Sequence, residues 1–514
     1  MNRLLILLSV LVLSGCAVNP VTGRNELSLV TEAQERAIGN QQYGPSRQSQ
    51  GGEFLVDRQL TAYVNEVGQR LAAVSDRQLD YEFVVLNNSV PNAWALPGGK
   101  IAVNRGLLLE LNSEAELAAV LGHEIVHAAA RHGAQAMTRG TLLQGALAVG
   151  AFATRDNEFS DYILGASQLG AQLISQRYGR DAERESDYYG IQYMVRAGYD
   201  PNAAVSLQQT FVRLSEGRSQ GWIDGLFASH PPSIERVNNN QALVDELMPA
   251  LEGRDLVTGE KPYRQSIAYL LETREAYEYF DEAEKAINDD DLEIAMGNLE
   301  EAIRLVPDEA RFHGLKGDIL VYQRRYREAI GSYDKALGLD DNYFDYYLGR
   351  GVAKSRLNQT TEARRDLERS SQLLPTAIAA NELGKLSLAA GSRDEAKSWF
   401  AQAAQARGQV GEEARTAFTR LDIADNPASY VDVQVYADAN GRIYARVFNR
   451  SSVPLNEVRV DFAAIVDGGI SRRSASARSL PGNSTTDVSS GLLFSDTSTW
   501  TQDMMSAQIS SISL

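Results

Sequence analysis

Two histidines four residues apart, His123 and His127, enclose a glutamate in the run His123-Glu124-Ile125-Val126-His127. On a helix, positions i and i+4 share one face about a turn apart, so both imidazoles can occupy vertices of a zinc tetrahedron. Glu124 then stands beside the metal, where a carboxylate can take a proton from an activated water. That is the chemistry of amide hydrolysis, with Glu124 carrying the water's proton to the leaving amine. The expected cofactor is one Zn2+ per chain, and the expected activity is that of a zinc metalloendopeptidase.

What completes the site is less direct. The chain has five histidines and a single cysteine, Cys16, which excludes a thiolate cage and an internal disulfide. The metzincin pattern needs glycine three residues and histidine six residues after His127; Ala130 and Gly133 stand there, so that class is excluded. His132 falls about 140° around the helix from His127 and is expected to be structural or to support a ligand. A downstream carboxylate must then bind. In Glu183-Arg184-Glu185-Ser186-Asp187, Glu183 and Asp187 share a helix face. Glu183 would ligate the metal and Asp187 would orient a ligand imidazole. A solvated acidic face paired with Arg180 and Arg184 is the alternative, and spacing alone does not choose.

These residues need elements to position them. Leu60, Tyr63, Val64, Val67 and Leu71 predict a helix over about 54–74. Tyr81 to Leu86 reads as a strand. Trp94 to Leu96 and Ile101 to Val103 read as extended runs joined by a turn at Pro97-Gly98-Gly99-Lys100. A helix follows near Arg105 to Leu111. Ser113 and Glu116 then predict a capping box opening the helix that carries the metal motif. Residues 141–174 hold two short apolar stretches split by Arg155-Asp156-Asn157-Glu158, expected as packed helices; a hairpin that dips into lipid or covers the site is the alternative.

Further on, Ala295, Ala329 and Ala363 are spaced by 34, as are Leu299, Tyr333 and Leu367. Four such units, at about 276–309, 310–343, 344–376 and 377–410, resemble tetratricopeptide repeats: paired helices stacked into a peptide-binding superhelix. After Asp425-Asn426-Pro427, alternating runs such as Val431, Val433, Val435 and Ile443, Ala445, Val447, with a turn at Asn440-Gly441, predict a β-sandwich.

At the N-terminus, Arg3 and the apolar run Leu4 to Leu13 read as an export signal, and Leu13-Ser14-Gly15-Cys16 resembles a bacterial lipobox. The resemblance implies cleavage before Cys16 and lipidation of that residue. Ala17 then favours the inner leaflet of the outer membrane, facing the periplasm. The net charge of −17 excludes a nucleic-acid partner. The expected organisation is a signal peptide at 1–15, a lipidated tether at 16–52, a catalytic domain at 53–255, a repeat domain at 256–412 and a β-sandwich-like domain at 427–514.

Residues 54–245 resemble the HtpX and CAAX-prenyl-peptidase family of zinc metalloproteases. The resemblance rests on four motifs in order: His123 to His127, Asn92-Ala93-Trp94-Ala95-Leu96-Pro97-Gly98-Gly99, Glu183 with Asp187, and His230-Pro231-Pro232-Ser233-Ile234-Glu235-Arg236. One departure is Ser186, where the family usually has alanine. The resemblance implies Glu183 as third ligand and Glu124 as base. The fold class is then multidomain α+β: a mainly helical zincin-type metalloprotease domain, an α-solenoid of repeats and a C-terminal β-sandwich. The strand at Asn92, Ala93 and Trp94 is a candidate for holding extended substrate.

Lipidated, repeat-bearing periplasmic proteases of this type imply quality control of envelope and outer-membrane proteins. Misfolded or stalled proteins would be the substrates, and the repeats would recruit them or the assembly machinery. The same resemblance implies that His230 can act as a fourth metal ligand, moved by the loop from Gly217 to Ser229. Read from the residues alone, His230 or Arg236 could stabilise the oxyanion; packing against Pro231 and a core salt bridge are their alternatives. The rival reading of the whole chain is a repeat-based chaperone or adaptor with a structural metal.

Overall fold

The computed structural model describes residues 16–146, 163–164, 167–175, 177–217, 229–495 and 500–514. The expected signal peptide, residues 147–162 and 165–166 of the stretch 141–174, and the loop 218–228 lie outside the described residues. Two compact units are present: Met1–Ser160 with Gly165–Pro375, and Asp161–Leu164 with Thr376–Leu514.

The first unit opens with a hairpin, β1 (Cys16–Val18) antiparallel to β2 (Asn25–Leu27). Helix α1 (Glu32–Ser49) follows, with a capping box between Thr31 and Gln34. This corrects the expected tether over 16–52. Its polar composition hid a helix that buries Tyr43 and places Glu35 between Arg77 and Arg131. Helix α2 (Arg58–Ala72), capped by Asp57, buries Leu60, Val64, Val67 and Leu71 on one stripe. A three-stranded sheet comes next: β3 (Glu82–Leu86), β4 (Ala93–Leu96) and β5 (Lys100–Asn104), in the order β3-β5-β4. Strand β3 runs parallel to β5, and β4 antiparallel to it at the edge. The β4–β5 turn needs two successive left-handed residues, Gly98 (φ 83°) and Gly99 (φ 88°), which only glycine adopts cheaply. Val85, Ala93, Ile101 and Val103 join the main core with α2. Trp94, Leu96 and Ala102 face a second apolar layer containing Tyr43, Leu173 and Ile174.

Helices then dominate: α3 (Arg105–Leu108), α4 (Glu114–Ala129), α5 (His132–Ala146), α6 (Ser167–Ile174), α7 (Arg180–Arg196), α8 (Asn202–Gly217), α9 (Ile234–Leu251), α10 (Glu260–Ser266) and α11 (Ala268–Glu272). The 34-residue period appears as helix pairs: α12 (Arg274–Asn288) with α13 (Leu292–Leu305), α14 (Ala310–Tyr322) with α15 (Tyr326–Leu339), and α16 (Phe344–Arg356) with α17 (Thr360–Leu373). Ala295, Ala329 and Ala363 are fully buried where paired helices cross, and Leu299, Tyr333 and Leu367 fill the gaps between them. The first repeats pack directly on the catalytic layers. Asn87 Nδ2 donates to Glu309 at 3.1 Å, Ser89 Oγ donates to Asp281 at 2.6 Å, and the Arg105 guanidinium lies 3.7 Å over the Tyr277 ring.

The second unit holds α18 (Ala377–Ala389), α19 (Arg393–Ala403) and α20 (Gly408–Asp425). Strands β6 (Val431–Ala437), β7 (Arg442–Asn449), β8 (Leu455–Val466), β9 (Gly469–Leu480), β10 (Ser484–Leu493) and β11 (Met505–Ser513) complete it. Two three-stranded sheets, β10-β7-β6 and β11-β8-β9, enclose Ile443, Ala445, Val447, Val458, Val460 and Phe462. That is the expected β-sandwich. Among the described residues, no helix is long and apolar enough to cross a membrane.

Candidate metal centre

Helix α4 is the spine of the site: every residue from Ala115 to Ala129 is buried. Ser113 Oγ accepts the Glu116 N–H at 3.1 Å, as the capping pattern predicts. The reciprocal bond differs. Glu116 Oε2 takes the N–H of Asn112 at 2.7 Å, one residue upstream of the cap, because it also accepts from the Asn112 side chain. Helix α7 crosses α4 where both carry glycine. A Cβ on Gly190 would sit 3.1 Å from the His123 nitrogen, and one on Gly122 would sit 3.1 Å from the Gly190 oxygen. Only this close approach lets Glu183 and Asp187 reach the two histidines.

His123, His127, Glu183 and His230 converge, with one donor atom from each lying within 4.8 Å of all the others. His123 Nε2 is 3.0 Å from His127 Nε2 and 3.3 Å from His230 Nδ1. Glu183 Oε1 is 3.4 Å from His127 Nε2 and 3.0 Å from His230 Nδ1. A tetrahedral zinc with ligands at about 2.0–2.1 Å has donors about 3.3–3.4 Å apart, so these residues fit that ion. Charge agrees. Burial opposes a charged His123, yet its bonds to Asp187 and Glu183 outweigh burial and lift its pKa to about 10. The Asp187 and Glu183 carboxylates thus favour positive charge at this ring, which a metal ion would supply. Burial also works against a charged Glu183, but His230, His123 and His127 hold its carboxyl well below the usual range. Burial pushes His127 well below the ordinary imidazole value, the neutral form a ligand requires.

Around the donors, Asp187 Oδ1 faces His123 Nδ1 at 3.0 Å. Arg236 grips Asp187 from behind and places Nη1 3.1 Å from Glu183 Oε2. Arg236 thus sits in the core salt bridge, the alternative its sequence position left open. Glu124 lies 3.5 Å from His230 Nε2, its other oxygen is buried without a hydrogen-bond partner, and burial raises its pKa. A partly enclosed cleft is lined by His123 and Glu124 and by Val120, Ile191, Met194, Leu207 and Phe211.

The structure brings together His123, Glu124, His127, Glu183, Asp187, His230 and Arg236. It does not bring in the side chains of Ala93 and Trp94, which are buried in the layers on either side of the sheet; β4 is an edge strand whose four residues are all buried. Sequence reasoning missed Tyr178, whose ring stacks on His127 with centroids 4.0 Å apart. Tyr178 lies two residues before α7, outside any helix or strand, so no periodic pattern marks it.

Compared with known proteins, residues 58–244 match the family model described as peptidase family M48. The mitochondrial metalloendopeptidase OMA1 of Schizosaccharomyces pombe is 31% identical over 252 residues, 48% of this chain and 72% of that protein. The beta-barrel assembly-enhancing protease of Escherichia coli K12 is 25% identical over 396 residues, 70% of this chain and 80% of that one. The putative beta-barrel assembly-enhancing protease of Vibrio cholerae is 29% identical over 232 residues, but only 46% of its length is spanned. Among solved structures, the first TPR domain of human RPAP3 is 23% identical, covering 24% of this chain and 97% of that one with a TM-score of 0.23. With a preformed donor set, a buried carboxylate beside it and these relatives, the chain belongs to peptidase family M48 and is a zinc-dependent metalloprotease.

Proposed function

We propose that this protein is a lipid-anchored endopeptidase of the bacterial periplasm that degrades misfolded or stalled outer-membrane proteins. The observation that carries the peptidase reading is Glu124, a buried carboxylate beside the donor set with one oxygen unpartnered. A purely structural metal needs no base there. Zinc, when bound, supplies a Lewis acid that polarises the scissile carbonyl and acidifies the attacking water. Glu124 takes that water's proton and delivers it to the leaving nitrogen, and its raised pKa suits both halves of the transfer. Edge strand β4 pairs an extended substrate backbone, and the cavity beyond His123 accepts an apolar side chain next to the cleaved bond.

The envelope role rests on resemblance: the lipobox at Cys16, the repeats, and the E. coli and V. cholerae relatives whose names refer to β-barrel assembly. The repeats recruit substrates or assembly partners, and the lipid holds the enzyme at the inner leaflet of the outer membrane. His230 supports a latched form, because its Nδ1 takes the fourth donor position that a water would need.

That closed set of four donors also favours the second reading, a repeat-based chaperone or adaptor with a structural metal. One assay separates the two: cleavage of an unfolded protein by the chain from residue 17 onward carrying His230→Ala, with and without Glu124→Gln. Cleavage that disappears with Glu124→Gln supports the peptidase. No cleavage by either form, with zinc bound and the fold intact, supports the adaptor.

A further inference from the structure

A histidine that gives a metal the lone pair of Nε2 must carry its proton on Nδ1, and that proton needs an acceptor. For His123 the acceptor is the Asp187 carboxylate. For His127 no carboxylate is in place; the atom facing its Nδ1, at 2.9 Å, is Nδ1 of His132. Two ring nitrogens can bond only if one lacks a proton. His127 must donate, so His132 must accept, and the His132 proton must sit on Nε2. That nitrogen points at Glu185 Oε1, 3.3 Å away, which can only accept.

Glu185 is held in turn. Asn19 Nδ2 donates to the same Oε1 at 2.9 Å and to Glu26 Oε1 at 3.0 Å. The Asn19 amide cannot flip without loss, because its Oδ1 accepts the N–H groups of Val21 at 2.9 Å and Thr22 at 3.2 Å. Glu26 is tied to Gln135 at the start of α5, and Gln135 also donates to Ala130 at the end of the metal helix. His132 and Asn19 are 2% and 1% exposed, so water does not replace these bonds. The two ring protons run outward from His127 through His132 to Glu185, and the Asn19 amide donates to that carboxylate from the far side.

We propose that His132, Glu185 and Asn19 are positioning residues for the metal ligand His127, and that the β1–β2 hairpin is thereby a working part of the metal site. The hairpin lies wholly before the residues that match the peptidase family. The catalytic layers alone would therefore hold His132 and Glu185 without the Asn19 amide that fixes the Glu185 carboxylate.

The test reads zinc affinity rather than activity. The full chain and single variants compete for zinc with a chromophoric chelator, and the cobalt-substituted forms are compared by visible absorption. His132→Phe is expected to weaken zinc binding about 10–100-fold. Glu185→Leu is expected to weaken it about tenfold and Asn19→Ala by a smaller factor, each shifting the cobalt bands. Glu185→Gln keeps an acceptor oxygen and is expected to restore affinity to within about twofold of the unaltered chain. Thermal unfolding of the zinc-free forms monitors the fold; if His132→Phe does not fold, the pair Glu185→Leu and Glu185→Gln decides. Unchanged affinity and cobalt spectra in folded Glu185→Leu and Asn19→Ala would overturn the proposal. So would Glu185→Gln binding as weakly as Glu185→Leu, since a lost acceptor would then not be the cause.

Discussion

Arg236 lies across the Asp187 carboxylate in a two-pronged ion pair, with Nη2 2.7 Å from Oδ1 and Nε 2.7 Å from Oδ2. Both side chains are buried, and Asp187 in turn orients His123. Removing one partner of a buried pair leaves an uncompensated charge, at a cost of about 3–5 kcal/mol. Arg236→Met is therefore expected to destabilise the zinc-free protein by about that amount in urea unfolding. Arg236→Lys should recover only part, because an ammonium cannot span both oxygens.

The glycine crossing of α4 and α7 sets a second expectation. Gly190→Val places a branched side chain against the His123 backbone, 3.1 Å from its nitrogen at the first carbon alone. Overpacking of this kind costs about 1–3 kcal/mol. It should also push Glu183 away from the histidines, so that peptidase activity and zinc affinity fall together while the repeats keep their helicity by circular dichroism.

The cavity predicts a cleavage preference. Peptides differing only in the residue after the scissile bond should be cut faster with leucine or phenylalanine there than with glycine or aspartate. Burying such a side chain contributes about 1.5–3 kcal/mol, which corresponds to a kcat/KM ratio of about tenfold or more. Leu207→Trp narrows the cavity and should shift the preference towards alanine. Equal rates for all residues in both forms would show that the cavity does not read the substrate.

Acid behaviour of the repeats follows from Asp318 and Asp345. Burial raises both pKa values; the Asp345 charge raises Asp318 further, and Arg311 opposes the rise on Asp345. A carboxyl whose folded pKa lies above its unfolded value binds more protons when folded. Its contribution therefore falls as pH rises from about 4 through the folded pKa. Asp345→Asn is expected to raise the melting temperature at pH 7.5 and to flatten its decline as pH rises above about 4. Differential scanning calorimetry across that range checks both effects.

How far the sequence could be read depended on the range over which residues act. His123, Glu124 and His127 are fixed by one helix turn, so spacing exposed them; for Glu183 and Asp187 spacing left a solvated acidic face equally open, and the family resemblance made the choice. The repeats were legible because Ala295, Ala329 and Ala363 recur where helices must cross. The roles of Asn19, Glu185 and Tyr178 depend on contacts between distant segments, and no local pattern encodes those. The N-terminal helix was hidden for a related reason. Glu35 sits among polar neighbours and its buried partners Arg77 and Arg131 lie far along the chain, so only the capping box at Thr31 and Gln34 marks this helix locally.

The first repeats are bolted to the catalytic layers through Asn87 with Glu309, Ser89 with Asp281 and Arg105 with Tyr277. The span from that part of the superhelix to Glu124 is consequently a constant of the molecule, not a leash of variable length. If the repeats hold a client as proposed, that client reaches the cleft only by paying out enough slack chain to cover the gap. Proteins that have finished folding have none to give, so the enzyme would gauge looseness itself and spare what is already taut.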